Sequence, residues 1–511
     1  MLLMEVVLMV INFLNNINKS SSLTTSSRTG SVNKEINEQY FTPIAIASFM
    51  SSMFRPIKKT VINFMDAGAG VGNLSASFIA AVCNWEKKPK KIKALLYEID
   101  MTLIPDLRKN MELCNELCSY NNIDLEIIIK NEDFIEGSVE SLKSGKDNEL
   151  FDYVILNPPY KKLNTHSRHK KLTLEVGIDV PNYYAAFVAL SYRLLDKKAQ
   201  LVCIIPRSFC NGQYFKAFRN DLINNNRIEK LHIFESRKDI FDDDVLQETL
   251  IMLLTRTEQK PTDNIEITES IKDDFSELEK VRKRFDDVIF PTDSEKVIRI
   301  IRDDDSRIVE QMHSLPCELK DLNINVSTGP VVDFRENQEL LSHQGNIWSL
   351  PIIYPENFVN GFVQWPIMGR KPGYILEDES NFKKLREPGI YVLVKRMSSK
   401  EERKRIVAAV YDSQQVSRTK VAFDNKVNYY HVNNMGLSNR NCAKGLSIYL
   451  NSSLVDFYFR TFSGSTQVNV TDLKVLRYPS VEQLENLGES YGDELPSQDE
   501  IDNIIIEVLF R

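Results

Sequence analysis

Asn157-Pro158-Pro159-Tyr160 is the stretch whose residue types speak most directly of chemistry. Two consecutive prolines fix φ and remove two backbone donors, so a turn built this way presents acceptors to whatever faces it. Asn157 adds a side-chain oxygen and Pro158 a carbonyl. Two such acceptors suit a planar amino group with two hydrogens, and Tyr160 offers a flat face on which a base stacks. The exocyclic amine of adenine is a poor nucleophile, because its lone pair is delocalised into the ring. Accepting both of its hydrogens drives the nitrogen toward pyramidal geometry and aims the lone pair at an electrophile. Asn157, Pro158 and Tyr160 are therefore the catalytic candidates.

A second stretch, Phe64-Met65-Asp66-Ala67-Gly68-Ala69-Gly70-Val71-Gly72-Asn73, follows an apolar run and opens a helical pattern. Glycines there let the backbone turn sharply and let a ligand approach closely. A dinucleotide fingerprint needs its third glycine three residues after the second, and that position is Asn73. The alternating Asp-x-Gly-x-Gly-x-Gly instead resembles the first motif of S-adenosylmethionine-dependent methyltransferases. Glu98, in Tyr97-Glu98-Ile99-Asp100, puts a carboxylate where a ribose diol would lie. Asp133 and Phe134, in Asn131-Glu132-Asp133-Phe134, offer an acceptor for an adenine amino group and a ring beside it. These features in succession favour a nucleoside cofactor. A sulfonium methyl is already activated, so transfer to an amine needs neither a metal nor a covalent enzyme intermediate. The sequence agrees by omission, having no nucleophile elbow and no metal-ligand cluster. Gly145-Lys146 lacks the flanking residues of a phosphate loop.

These residues need a sheet to place them. From about Thr60 to Leu254 short β-rich runs alternate with helical patterns, the signature of a βαβ sheet. Strands are expected at 61–66, 93–98, 125–130, 153–156, 201–205, 229–234 and 249–255. Helices are expected at 73–83, 105–120, 182–195 and 213–224. This predicts an α/β, Rossmann-like, seven-stranded and mostly parallel sheet, its last two strands forming an antiparallel hairpin edge. The pattern breaks near Glu258–Asp287, where Lys, Asp and Glu dominate. Short strands, turns and scattered aromatics beyond Ser327 indicate a second, mixed α+β domain. The expected division is a leader at 1–34, flexible or helical, a catalytic domain at 35–288, a recognition domain at 289–480 and a short, acidic, helical tail at 481–511.

The whole pattern resembles the N6-adenine DNA methyltransferases of type II restriction systems, those with a carboxyl-terminal target recognition domain. Further stretches carry the resemblance: Glu38-Gln39-Tyr40-Phe41-Thr42-Pro43, Ile204–Phe209 with Asn211-Gly212, Ile240-Phe241-Asp242, Ser327–Arg335 and Phe462–Asn469. Together they span about residues 35–480. The resemblance implies S-adenosylmethionine held by Tyr40, Thr42, Pro43, Asp66, Gly68, Gly70, Glu98, Asp133, Phe134 and Asn157, with no metal. It implies an aromatic, Phe241, against a flipped adenine, although three acids follow that residue. It also implies double-stranded DNA as partner, a monomer in the prokaryotic cytoplasm with no membrane association, and a cognate restriction endonuclease with which no physical contact is required. Glutamine or RNA amino-group methyltransferases, and a non-catalytic cofactor- or DNA-binding module, are the alternatives. Glutamine methyltransferases carry the same tetrapeptide but lack a long carboxyl-terminal domain, whereas about 200 residues follow the sheet here.

Composition sets the outer bounds. Hydrophobic residues make up 42% and charged residues 26% of 511, ordinary for a globular chain, and no apolar run is long enough to span a bilayer. The net charge of −7 hides its distribution. Nine acids and one base lie from Glu482 onward, whereas 361–420 carries thirteen bases against seven acids and 161–171 five bases and no acid. Lys161, Lys162 and Arg168, and then Arg370, Lys371, Lys395, Arg396, Gln467 and Asn469, are the candidate DNA contacts. The seven cysteines are scattered and form no disulfide framework, consistent with a reducing compartment. The apolar Met1–Leu14 lacks a basic leader and is not read as a signal peptide.

Overall fold

The computed structural model describes residues 13, 14, 16, 17, 41–145, 150–234, 248–271, 274–302, 305–367, 369–398 and 402–511. The chain divides into two units, Met1–Arg299 and Ile300–Arg511. The first is built on strands β1 (Val61–Asp66), β2 (Lys91–Tyr97), β3 (Asp124–Lys130), β4 (Phe151–Leu156), β5 (Leu195–Pro206), β6 (Arg227–Phe234), β7 (Thr249–Thr255), β8 (Asn264–Ile271) and β9 (Asp274–Arg284). Their order in the sheet is β3-β2-β1-β4-β5-β7-β6-β8-β9. The first five are parallel neighbours, and β7 lies antiparallel between β5 and β6.

All seven expected strands are present and the sheet is longer than expected. The charged stretch at 258–287 is not a break, because it supplies the β8–β9 hairpin, with β8 parallel to β6. Charge masks the strand pattern there: Glu266 on β8 pairs with Lys230 of β6 at 3.1 Å and with Lys280 of β9 at 2.7 Å. Most of β9 is exposed, and a charged edge strand blunts pairing with other chains. The expected β6–β7 hairpin is therefore interior to the sheet.

Every residue of β4 is buried and all but Asp152 are apolar or aromatic, as a parallel strand covered on both faces requires. Aromatic packing locks β1 and β4 to the helix Asn73–Cys83. Phe64 stacks on Phe78 at 4.1 Å, and Tyr153 lies 5.3 Å from the same ring. Phe13 and Ile17, from the apolar amino-terminal stretch, are buried in this core. Residues 289–299, expected in the second domain, belong to the first unit. The buried Arg219 donates to the Glu295 carbonyl at 2.7 Å, and Ile298 N–H donates to the Cys210 carbonyl at 2.9 Å.

The second unit is mixed α+β. Two small sheets, one of six strands and one of four, surround a core including Ile353, Tyr391, Leu393, Tyr411, Phe423 and Tyr429. Residues 481–511 make up the acidic tail. They form helices Val481–Glu489 and Gln498–Phe510, and the first packs on helix Arg440–Leu450 so closely that Gly445 lies against the Leu484 carbonyl and Gly488 against that of Asn441. Most of their acids are exposed, although Asp502 accepts the Ser453 N–H at 2.8 Å, while Leu484, Leu487, Ile501 and Ile505 are buried. No helix among the described residues is long and apolar enough to cross a membrane.

Candidate active site

The sheet order reverses between β1 and β4, the switch point at which open α/β sheets bind ligands beyond the carboxyl ends of their strands. The candidate residues gather at that edge. Asp66 ends β1, Glu98 follows β2, Asp133 lies three residues past β3, and Asn157 follows β4. A cleft of about 230 Å³ is lined by Gly68, Gly70, Glu98, Asp133, Phe134, Asn157 and Pro158, joined by Phe41, Lys161, His169, Tyr183 and Phe187.

The glycine turn is held from both sides. Gly70 has φ +57°, a conformation L side chains rarely adopt, and the Phe41 ring leaves only 3.3 Å for any Cβ there. Glu98 accepts the Gly70 N–H at 2.7 Å and the Asp100 N–H at 2.7 Å. Burial pushes the Glu98 carboxyl up, against those two donors. Asp66 has a different place from the one expected. It is fully buried beneath the turn and accepts from Ser75 Oγ at 2.7 Å and from Gly68 N–H at 3.3 Å. Its carboxyl shapes the loop rather than facing the cleft, and desolvation raises its pKa to about 7.

The catalytic turn is equally fixed. Asn157 donates from Nδ2 to Thr42 Oγ1 at 3.1 Å, while its Oδ1 accepts from the Tyr160 hydroxyl at 3.1 Å. Tyr160 OH also lies 3.4 Å from the Ile204 carbonyl of β5. Thr42 is tied to the glycine side as well, its carbonyl accepting from Asn73 Nδ2 at 2.9 Å. Thr42-Pro43 thus straps the two loops together, immediately before helix Ile44–Ser52. Tyr40 and Phe241 lie outside the described residues.

His169, Tyr183 and Phe187 are among the cleft residues that carried no sequence expectation. Phe187 tilts against Phe134 at 4.8 Å between ring centroids. His169 Nε2 lies 3.3 Å from Asp133 Oδ2, and Asp133 Oδ1 accepts the Glu136 N–H at 3.0 Å. Burial pushes the Asp133 carboxyl up, but those two partners outweigh it and hold the group below the usual range. The same pair raises His169. A helical spacing rule cannot find such a residue, because His169 and Asp133 follow different strands.

The basic segment 161–171 is mostly committed. Lys161 lies over the Tyr183 ring at 5.0 Å and Arg168 pairs with Glu136 at 3.0 Å, whereas Lys162 and Lys171 are exposed. In the second unit Arg370 is exposed, but Lys371 pairs with Glu356 at 3.1 Å and Lys395 with Glu402 at 2.8 Å. Arg396 donates to the Asn425 carbonyl at 3.0 Å and to Gln467 Oε1 at 3.2 Å. Asn469 caps the helix Val470–Lys474 in a reciprocal box with Asp472. Arg396, Gln467 and Asn469 therefore help to hold the fold of this unit together.

A parallel sheet reversing between β1 and β4, with a glycine turn after β1 and an acidic residue past β2, is the fold of the S-adenosylmethionine-dependent methyltransferases. The model of the Eco57I restriction-modification methylase family matches residues 37–241. The type II methyltransferase M.BsuBI of Bacillus subtilis is 40% identical over 94% of this chain and 95% of its own length. M.PstI of Providencia stuartii is 37% identical over 92% of each. The solved type IIG restriction endonuclease BpuSI aligns with 94% of this chain and 64% of its own, at 14% identity and a TM-score of 0.45. The chain belongs to the family of type II restriction-modification methyltransferases.

Proposed function

We propose that the protein transfers the methyl group of S-adenosylmethionine to N6 of an adenine flipped out of double-stranded DNA, at a specific sequence. The observation that carries this reading is the Asn157 carboxamide, held between Thr42 and Tyr160 at the rim of the glycine-turn cleft.

The residues of the cleft fit the cofactor. At Gly68 an added Cβ would meet nothing closer than the Phe187 ring at 4.0 Å, so bare backbone faces the cleft. Glu98 keeps lone pairs beyond its two backbone donors for a ribose diol. Asp133 is ionised and suits a purine amine, with Phe134 and Phe187 beside it. Gly68, Gly70, Glu98 and Asp133 would hold S-adenosylmethionine, which when bound would supply an activated methyl in exchange for one amine proton released to water. Asn157 Oδ1 and the Pro158 carbonyl accept the two amine hydrogens and orient the lone pair. Tyr160 stacks on the base, and Thr42 and the Tyr160 hydroxyl fix the carboxamide so that no reorganisation is needed during reaction. A stacked base cannot enter such a pocket, which is why the adenine is extruded.

The modification would protect cellular DNA from a cognate restriction endonuclease, the protein acting as a cytoplasmic monomer without contacting that enzyme. Lys162, Lys171 and Arg370, exposed and basic, suit phosphate contacts. Long-read, methylation-sensitive sequencing of DNA from cells expressing the protein tests this, with N6-methyladenine in one recurring word as the expected result. N4-methylcytosine would overturn the base assignment, since cytosine carries a similar exocyclic amine. Methylated protein or RNA with unmethylated DNA would overturn the substrate.

A further inference from the structure

We propose that Tyr183 and His169 form a positioning relay that sets Asp133 as acceptor for the exocyclic amine of the cofactor's purine, so that the cleft selects 6-aminopurine over 6-oxopurine cofactors. The inference rests on the cofactor reading above and deepens it.

The relay begins beside the catalytic turn. Tyr183 N–H donates to the Lys161 carbonyl at 3.1 Å, and the Lys161 ammonium lies over the Tyr183 ring. The Tyr183 hydroxyl is 2.9 Å from His169 Nδ1, and His169 Nε2 is 3.3 Å from Asp133 Oδ2. A phenol donating to Nδ1 leaves the proton of neutral imidazole on Nε2, where it donates to the carboxylate. Protonated imidazole donates at both ends, so the Asp133 contact persists in either state. Both Asp133 oxygens are thereby oriented, Oδ1 by the Glu136 N–H and Oδ2 by His169, with lone pairs left toward the cleft.

The histidine is itself held in place. Its helix, Arg168–Glu175, starts from a Ser167 cap and is fastened to helix Phe134–Ser144 by Arg168–Glu136 and Lys143–Glu175 ion pairs. These links are reciprocal, each helix giving one base and one acid, and they hold the segment that carries His169 against the helix that Asp133 caps. Asp133, Glu136, Arg168 and Tyr183 are the charged and titratable groups around the imidazole.

A carboxylate presented this way accepts from an amine but opposes a 6-oxo oxygen, which cannot donate. Unpaired buried polar groups make that kind of discrimination large. Isothermal titration of the full-length protein with S-adenosylhomocysteine and its deaminated analogue S-inosylhomocysteine tests the relay without any DNA. The wild type should prefer the adenosyl ligand. His169→Phe should lower that preference about tenfold, by weakening adenosyl binding and leaving inosyl binding within twofold. Tyr183→Phe should give a smaller loss of the same kind, and His169→Gln, which can still donate, should recover most of the preference. Equal weakening of both ligands, or an unchanged adenosyl Kd in His169→Phe, would overturn the relay. Failure of the wild type to bind either ligand would instead overturn the cofactor reading, and the relay with it.

Discussion

Thr42 and Asn157, 115 residues apart in sequence, meet where the threonine Oγ1 accepts from the asparagine Nδ2 at 3.1 Å. This contact places the carboxamide oxygen, because an amide with its nitrogen fixed cannot flip without losing the bond. Thr42→Val keeps the volume and removes the acceptor. It should lower kcat by about tenfold, whereas Asn157→Ala, which removes the acceptor for the target amine, should raise the barrier by about 2–4 kcal/mol. Calorimetry should find cofactor binding intact in Asn157→Ala. The double variant should be no slower than Asn157→Ala alone, because Thr42 acts on transfer through Asn157. Additive losses in single-turnover rates would show a separate role for Thr42.

Tyr160 faces two demands in the proposed reaction, since its hydroxyl holds Asn157 while its ring is to stack on the base. A 2-aminopurine at the target position should brighten when the protein binds DNA, as an unstacked base does. Tyr160→Ala should reduce that signal, since a base–aromatic stack contributes about 1–3 kcal/mol. Tyr160→Phe should keep the brightening but slow transfer. A bright wild-type complex equally bright in Tyr160→Ala would place the base elsewhere.

Strand edges explain what could be read from the sequence. Asn157, Glu98 and Gly68 sit at strand ends, and a strand end is legible because periodicity stops there; each then reached the cleft by the sheet order alone. The β8–β9 hairpin was not legible, because cross-strand pairs such as Glu266–Lys280 replace the apolar alternation that marks a strand. His169 was hidden for another reason: its pairing with Asp133 exists only once two helices have docked. Gln467 and Asn469 share a strand-like spacing, but what they bond within the unit, Arg396 far away in sequence and Asp472 nearby, is set by the fold. At 481–511 charge density hides the packing, where Leu484, Leu487, Ile501 and Ile505 anchor the helices while most of the acids are exposed.

The crossing of helices Arg440–Leu450 and Val481–Glu489 depends on two glycines. A Cβ on Gly445 would lie 1.7 Å from the Leu484 carbonyl oxygen, and one on Gly488 would lie 1.9 Å from that of Asn441. Backbone cannot yield as a side-chain tip can, so the helices would have to separate. Gly445→Ala should destabilise the second unit by about 2 kcal/mol, although alanine is the better helix former. Urea unfolding read through Trp365 measures this, and an unchanged midpoint would mean that residues 481–511 do not hold this unit together.

Asp66 makes the first unit sensitive to pH in a direction opposite to the usual surface carboxylate. Burial raises its pKa from 3.8 to about 7, so between these values the folded chain keeps a proton that the unfolded chain has released. Its contribution to stability is full at low pH and is lost as the pH rises through about 7. Asp66→Asn cannot ionise. Relative to wild type, the variant should therefore gain stability from pH 4 to 7, by at most about 4 kcal/mol, and then level off. Urea unfolding read through Trp85 at several pH values checks the slope. A constant difference would mean that Asp66 titrates alike in both states.

The catalytic turn contacts one extruded base, so it cannot by itself distinguish a word of several bases. The remaining information must come from groove contacts made elsewhere. The second unit is the candidate, being basic between 361 and 420, with Arg370 exposed. Arg396, Gln467 and Asn469 are spent on its internal structure, so exchanging them singly should cost stability rather than alter the word. Exchanging residues 320–479 for those of a related enzyme should change the methylated word and leave cofactor affinity unchanged. Arg370→Ala should weaken DNA binding and make its dependence on salt less steep by about one unit of slope, as loss of one phosphate contact requires. If the exchanged protein methylated the original word, recognition would have to reside in the first unit; an unchanged salt slope in Arg370→Ala would place the phosphate contact elsewhere, with Lys162 and Lys171 as the basic groups to test next.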